Sequence, residues 1–323
     1  MSSCNDDFPG VSSFSHQFVY QIADRQAGDR LDHFLAGNLT EISRSQLIST
    51  VRAGLVLVNG LVRKSSYRLK AGDEVSGSVL FPSAIDVQPE KIQLTILYED
   101  EFLLVISKPP GLVVHPGSGN PTGTLVNGLV YYCGSIAGVG DSVRPGIVHR
   151  LDKDTSGVMV IAKREDVHRK LVESFKARTM EKEYLALIHG IMDQKQGRVV
   201  APVGRHPVHR QKMAVREVGG RYAATNWQVA KEFGGMYSLV IVGIETGRTH
   251  QIRVHMAYMG HPVAGDALYG KGPATARFPR QMLHASRLRF FHPISGATLD
   301  IEAPLWPDFL KVLDDFDQQV RQL

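Results

Sequence analysis

Residues 149–157 read His-Arg-Leu-Asp-Lys-Asp-Thr-Ser-Gly, packing two cations, two carboxylates, two hydroxyls and an imidazole between apolar runs. Burying the hydroxyls without partners costs roughly 2–7 kcal/mol each and the charges far more, so the chain must fold to leave them solvated or mutually satisfied. Upstream lies Arg144-Pro145-Gly146-Ile147-Val148, and downstream the β-rich Val158-Met159-Val160-Ile161-Ala162. The pattern predicts a loop that feeds a buried strand. A solvated turn capped by Asp and Thr would satisfy it. So would a reactive carboxylate, because loops held by strands are where chemistry concentrates.

The rest of the chain bounds the setting. At 323 residues there is enough sequence for a small core and a large one. Lys plus Arg number 37 against 32 Asp plus Glu, and this +5 charge suggests a polyanionic partner. Only Cys4 and Cys133 occur, so neither a disulfide framework nor a cysteine zinc site is encoded, and a cytoplasmic location is expected. Residues 1–16 carry Asp6, Asp7, Pro9 and several serines but no apolar core, which predicts a flexible tail rather than a signal peptide. No stretch approaches the roughly eighteen apolar residues that a membrane helix needs.

Residues 17–80 predict a compact α/β module. Leu31, Phe34 and Leu35 lie at helical spacing, and Ser43-Arg44-Ser45-Gln46 has the form of a capping box ahead of Leu47, Ile48, Val51 and Leu55. Val56 to Val62 places two β-like runs around Asn59-Gly60, a hairpin signal, and Leu69 to Val75 turns into a further strand. The module holds eight Lys or Arg against six acids, with Arg44 and Arg52 at helical spacing. Residues 81–93, with two prolines, predict a linker.

Residues 94–323 predict one large α+β domain on a mainly antiparallel mixed sheet with flanking helices. Strands are expected at 102–106, 158–162, 184–188, 227–230 and 237–244, and a helix after Asp166 with Val167, Leu171 and Phe175 on one face. Between Ala201 and Arg216 stand Arg205, Arg210, Lys212 and Arg216 with no acid, which suggests a phosphate-binding arm. His250 and His255 do not make a zinc pair, since a spacing of five puts them about 140° apart on a helix.

Five segments carry a resemblance. Lys108 to Gly117, His149 to Gly157, Lys182 to Leu187, Thr246 to His255 and Met282 to Ala285 resemble, in order, the motifs of the RluA-type pseudouridine synthases. The module at 17–80 resembles an S4 RNA-binding domain. That family isomerises uridine in RNA, breaking an N–C glycosidic bond and rejoining the base through carbon, which calls for no cofactor and no metal. The resemblance implies that Asp152 is the catalytic carboxylate, that Tyr184 stacks on the uracil, and that Arg150 enters the space a flipped base leaves. A carboxylate in a half-apolar pocket needs a cation to stay charged. The resemblance gives that part to Arg253, with Arg248 in the same motif as the alternative. Ile252 and Leu283 would form the apolar floor, and Arg44, Arg205, Arg210 and Lys212 would bind RNA. The leading S4-like module and Arg205-His206-Pro207 resemble the branch that acts on large-subunit ribosomal RNA or its precursor particle. The chain is expected to act as a monomer away from any membrane. Two rivals stay open: an RNA-binding or ribosome-assembly protein without activity, and a hydrolase pairing Asp152 with Asp154.

Overall fold

The computed structural model describes residues 15–39, 44–80, 87–117, 119–134, 136, 139–141, 144–209, 211–270 and 277–321. The chain divides into two compact units, Met1–Asp86 and Val87–Leu323. Among the described residues no helix is long and apolar enough to cross a membrane.

The first unit comprises β1 (Ser15–Gln21), α1 (Leu31–Asn38), α2 (Arg44–Arg52), β2 (Val56–Val58), β3 (Leu61–Val62) and β4 (Glu74–Leu80). Its antiparallel sheet runs β1-β4-β2-β3. Asn59 and Gly60 take φ of 51° and 73°, the left-handed pair that a two-residue hairpin requires. Leu31, Leu35, Leu47 and Val51 from the helices meet Phe18, Val56 and Val75 from the sheet. Buried Asp73 ties the turns together, accepting from the Lys70 backbone N–H and from Asn59 Nδ2. The Lys70 hydrogen bond holds its carboxyl below the usual range against the effect of burial. β1 begins at Ser15, so its first two residues fall within the stretch expected to be tail. The capping serine, Ser43, lies outside the described residues.

The second unit contains β5 (Thr95–Glu99), β6 (Leu103–Lys108), α3 (Leu125–Cys133), β7 (Gly140–Asp141), β8 (Arg144–Pro145), β9 (Ser156–Ala162), α4 (Glu165–Ala177) and β10 (Glu181–His189). It continues with β11 (Gln196–Val200), β12 (Val203–Arg205), β13 (Met213–Val215), β14 (Ala224–Phe233), β15 (Tyr237–Ile244), α5 (Gln251–Tyr258), β16 (Leu283–Phe291), β17 (Thr298–Glu302) and α6 (Pro307–Arg321). The main sheet runs β11-β14-β15-β10-β16-β9-β6-β5, with β17 added to β16. Every pairing in it is antiparallel except the two-residue parallel contact of β16 with β9. The expected strands at 102–106, 158–162, 184–188, 227–230 and 237–244 all form, and the expected helix is α4.

Residues 87–93, the later part of the stretch 81–93 read as linker from its two prolines, pack instead as part of the second unit. Asn127, in the first turn of α3, donates to the Gln88 carbonyl, and Glu90 accepts from the Gly123 backbone N–H. Val87 is buried. The segment caps a helix end, and proline content alone does not distinguish that from a free linker.

The side-by-side pairing of β10, β16 and β9 positions the site. Ser156 and Gly157 open β9 beside His284 and Ala285, while Tyr184 on β10 pairs with the same Ala285. A Cβ on Gly157, at φ 117°, would collide with the Ala285 carbonyl, so only glycine allows the approach. The polar loop at 149–155, the middle of β10 and the start of β16 are thereby brought to one place.

Candidate active site

Buried cations hold the polar loop from beneath. Lys108, fully buried at the end of β6, donates through Nζ to the carbonyls of Pro109, Leu112 and Lys153 at 2.7, 2.9 and 2.9 Å. Burial pushes Lys108 down to about 7, against the pull of Asp154. Three acceptors nonetheless need three N–H bonds, which only the ammonium form supplies. Arg280 donates to the Asp154 carbonyl at 3.0 Å and to Ser156 Oγ at 3.0 Å, and is itself anchored on Asp308 of α6 at 2.6 Å. Gln281 Nε2 donates to Thr155 Oγ1 at 2.8 Å. The loop is thus satisfied group by group, and Asp152 is presented on a fixed backbone.

His149 has a structural part. Its Nε2 accepts the Val160 N–H at 3.0 Å, and its ring stacks on Phe175 with centroids 4.7 Å apart. Burial, then the charge of Lys182, pushes it down to about 3, so the ring is neutral at physiological pH.

Above the loop a pocket open to solvent is lined by Arg150, Asp152, Tyr184, Arg248, Ile252, Arg253 and Leu283, together with Leu151, Thr155 and residues of the 244–251 stretch. Seven residues marked out by the sequence therefore share one wall, although they come from separate segments of the chain. Asp154 is not part of the lining; its carbonyl is held by Arg280.

At the centre lies a three-residue charge network. Arg253 on α5 donates Nη1 to Asp152 Oδ2 at 2.9 Å, while Nε and Nη2 clasp Asp266 at 2.7 and 2.9 Å. Asp266 is fully buried and its Oδ1 also accepts the backbone N–H groups of Leu268 and Tyr269. Burial works against the Arg253 charge, yet hydrogen bonding and charge from Asp266 and then Asp152 raise its pKa above the ordinary value. Two carboxylates around one guanidinium leave Asp152 as the partly exposed member, its side chain 18% accessible. Its Oδ1 faces His250 Nε2 at 3.8 Å.

Arg248 points elsewhere. Its Nε donates to the Tyr222 carbonyl at 3.1 Å, and burial with the nearby charges of Arg221 and Arg178 lowers its pKa. Between the two arginines of the motif, Arg253 is the one bonded to Asp152. Tyr184 is buried beside the carboxylate, and burial, then the Asp152 charge, raises its pKa, so the hydroxyl stays protonated. Arg150 is exposed at the rim.

Two of the RNA-binding candidates are described in the unit that holds this pocket. Arg205 and Lys212 stand on the β12–β13 hairpin, and neither lines it. Arg210 lies outside the described residues. Arg44 is the first residue of α2, and its side chain lies outside the described residues.

Sequence reasoning missed Asp266, Tyr269 and the supporting parts of Arg280 and Gln281. The signal for Asp266 was present: a single acid inside Pro262-Val263-Ala264-Gly265-Asp266-Ala267-Leu268-Tyr269, an otherwise uncharged run, needs a buried cation.

Comparison with known proteins identifies the arrangement. The family model described as RNA pseudouridylate synthase matches residues 102–258, and the S4 domain model matches residues 29–75. An uncharacterized RNA pseudouridine synthase, YlyB, of Bacillus subtilis is 43% identical over 300 residues, covering 93% of this chain and 98% of that protein. The ribosomal large subunit pseudouridine synthase D of Xanthomonas campestris is 42% identical over 304 residues, covering 90% of each. The solved structure of human RNA pseudouridylate synthase domain containing 1 aligns with a TM-score of 0.56 at 26% identity, covering 76% of this chain and 98% of that one. With one carboxylate held by arginine beneath a buried tyrosine, and relatives that match it nearly end to end, the chain belongs to the RNA pseudouridine synthase family and carries an S4 domain.

Proposed function

We propose that the protein isomerises specific uridines of large-subunit (23S) ribosomal RNA, or of its precursor particle, to pseudouridine. The observation that carries the activity is the 2.9 Å bond between Arg253 and Asp152 inside a pocket that also holds Tyr184. An ionised carboxylate can attack the nucleotide or remove a proton from it. Arg253 holds and orients Asp152, Tyr184 stacks on the extruded uracil, and Ile252 and Leu283 form the apolar floor. Arg150 fills the space left in the stack, and Arg248 holds the backbone nearby. No cofactor takes part.

Residues 17–80 act as the S4 RNA-binding domain and 94–323 as the catalytic domain. Arg44 in the first, with Arg205, Arg210 and Lys212 on the basic arm of the second, contact phosphates. The ribosomal substrate is supported by relatives named for the large ribosomal subunit. The protein works as a monomer in the cytoplasm.

Carbodiimide mapping of total RNA from cells with and without the gene tests the substrate. Reverse-transcription stops in large-subunit RNA should vanish on deletion and return with a plasmid copy. Loss confined to transfer RNA would contradict the ribosomal assignment.

A further inference from the structure

His250 sits at the start of α5 with φ 55°, a left-handed conformation that costs free energy for a residue with a Cβ. A position held at such a cost is fixed by its surroundings. Here the surroundings also fix its proton. The Met213 backbone N–H donates to Tyr269 Oη at 2.8 Å, and Tyr269 Oη lies 2.8 Å from His250 Nδ1. With its oxygen already accepting from Met213, the tyrosine hydroxyl turns its hydrogen to Nδ1. A neutral imidazole that accepts at Nδ1 carries its hydrogen at Nε2. Burial favours that neutral ring, with Asp152 opposing and Arg253 assisting.

The resulting Nε2–H faces Asp152 Oδ1 at 3.8 Å, too far for a direct hydrogen bond. Oδ2 of the same carboxylate is taken by Arg253. A donor and a bare acceptor thus stand side by side on the pocket wall. An oxygen at roughly 2.8 Å from each fits between them, provided that it both accepts and donates. Within an RNA chain the 3′ and 5′ oxygens carry phosphodiesters, the uracil carbonyls cannot donate, and N3–H cannot accept. The ribose 2′-hydroxyl alone does both.

Resting on the uridine-isomerase reading, we propose that His250 Nε2–H and Asp152 Oδ1 grip the 2′-hydroxyl of the extruded uridine, making His250 a specificity-determining residue for ribose over deoxyribose. Tyr269 is a positioning residue that acts through it by setting the tautomer.

The test compares two RNAs differing only in a 2′-deoxy sugar at the target uridine, in single turnover at saturating enzyme. Any intrinsic reactivity difference between the sugars is common to all variants and cancels when their ribo-to-deoxy rate ratios are compared. His250→Gln keeps an N–H near the place of Nε2, whereas His250→Asn keeps a group near Nδ1 and loses the donor. The backbone favours Asn, which tolerates the left-handed region better. The grip favours Gln. We expect the wild-type ratio to exceed that of His250→Asn by roughly 2- to 13-fold, the range for a hydrogen bond between neutral groups, since the charged acceptor Asp152 stays in place. His250→Gln should keep most of the ratio, and Tyr269→Phe an intermediate part. Equal ratios in wild type and His250→Asn, or a larger ratio in Asn than in Gln, would overturn the proposal while leaving the isomerase reading intact. No isomerisation of the all-ribose RNA by wild type would overturn both.

Discussion

Replacing Arg253 with Gln should do two separable kinds of damage. The first is to stability: Asp266, fully buried and clasped through two arginine nitrogens, would keep only its backbone donors. Removing one partner of a buried ion pair costs about 3–5 kcal/mol. For a unit of this size each kcal/mol moves the midpoint by about 2–4 °C, so thermal unfolding should fall by roughly 6–20 °C. The second is to chemistry, because Asp152 is deprived of the charged donor on its Oδ2. Removing a preorganised donor at such a place costs about 10²–10³-fold in rate. The double variant Arg253→Gln/Asp266→Asn separates the two. A neutral amide at 266 needs no cation and can still accept the Leu268 and Tyr269 N–H groups, so stability should return to within about 2 kcal/mol of wild type. The rate should stay down. Unfolding is followed by circular dichroism and the rate by release of tritium from C5 of uridine in single turnover. If the double variant regains both stability and rate, the bond from Arg253 to Asp152 is unnecessary and Arg253 is only Asp266's partner.

Lys108→Met should cost about 3 kcal/mol or more, since three buried carbonyls are deprived of their donor at once, and should slow isomerisation by loosening the loop that carries Asp152; unchanged denaturant stability would refute the pinning. His149 titrates in the folded protein at about 3, below the unfolded value near 6.5, so the unfolded chain takes up the proton first. Its contribution is therefore full above about pH 6.5 and is lost as pH falls toward 3; His149→Gln, which keeps an acceptor for Val160 N–H, should flatten the stability profile across that window. Deleting residues 1–86 should weaken RNA binding and lower the slope of log affinity against log salt, by roughly 0.7–0.9 for each phosphate no longer neutralised, with less effect on the rate at saturating RNA. An unchanged slope would remove the RNA-binding part given to the first unit.

How much of this was legible in the sequence follows from the range of the interactions. Val158–Ala162 and Tyr237–Ile244 read as strands because short runs of β-branched and aromatic residues carry that signal locally, and Asn59-Gly60 announces its turn within two residues. α6 went unread although Phe309, Val312, Leu313 and Phe316 stand at helical spacing, a signal as local as that of α4, whereas β16, where Arg287 and Arg289 interrupt the run, gave no comparable prompt. At the site, Asp152, Tyr184 and Arg253 were identified through motif wording. Their meeting depends on β10 and β9 both pairing with β16, which no local pattern specifies. Asp266 stayed hidden because its partner lies thirteen residues back, on the buried side of a helix. The bonds of Lys108 and Arg280 to the loop carbonyls span 45 and 126 residues, so neither could be read from its own neighbourhood.

The claim on which everything else depends is that Asp152, alone among the acids near the loop, carries the chemistry. Purified wild type and Asp152→Asn should be compared on large-subunit RNA transcribed without modification and labelled with tritium at uridine C5. Wild type should release label and create carbodiimide-dependent reverse-transcription stops at defined uridines. Asp152→Asn should fold and bind the RNA with nearly unchanged affinity, yet release essentially nothing. Turnover by Asp152→Asn within tenfold of wild type would contradict the account and move the search to another carboxylate, Asp154 first.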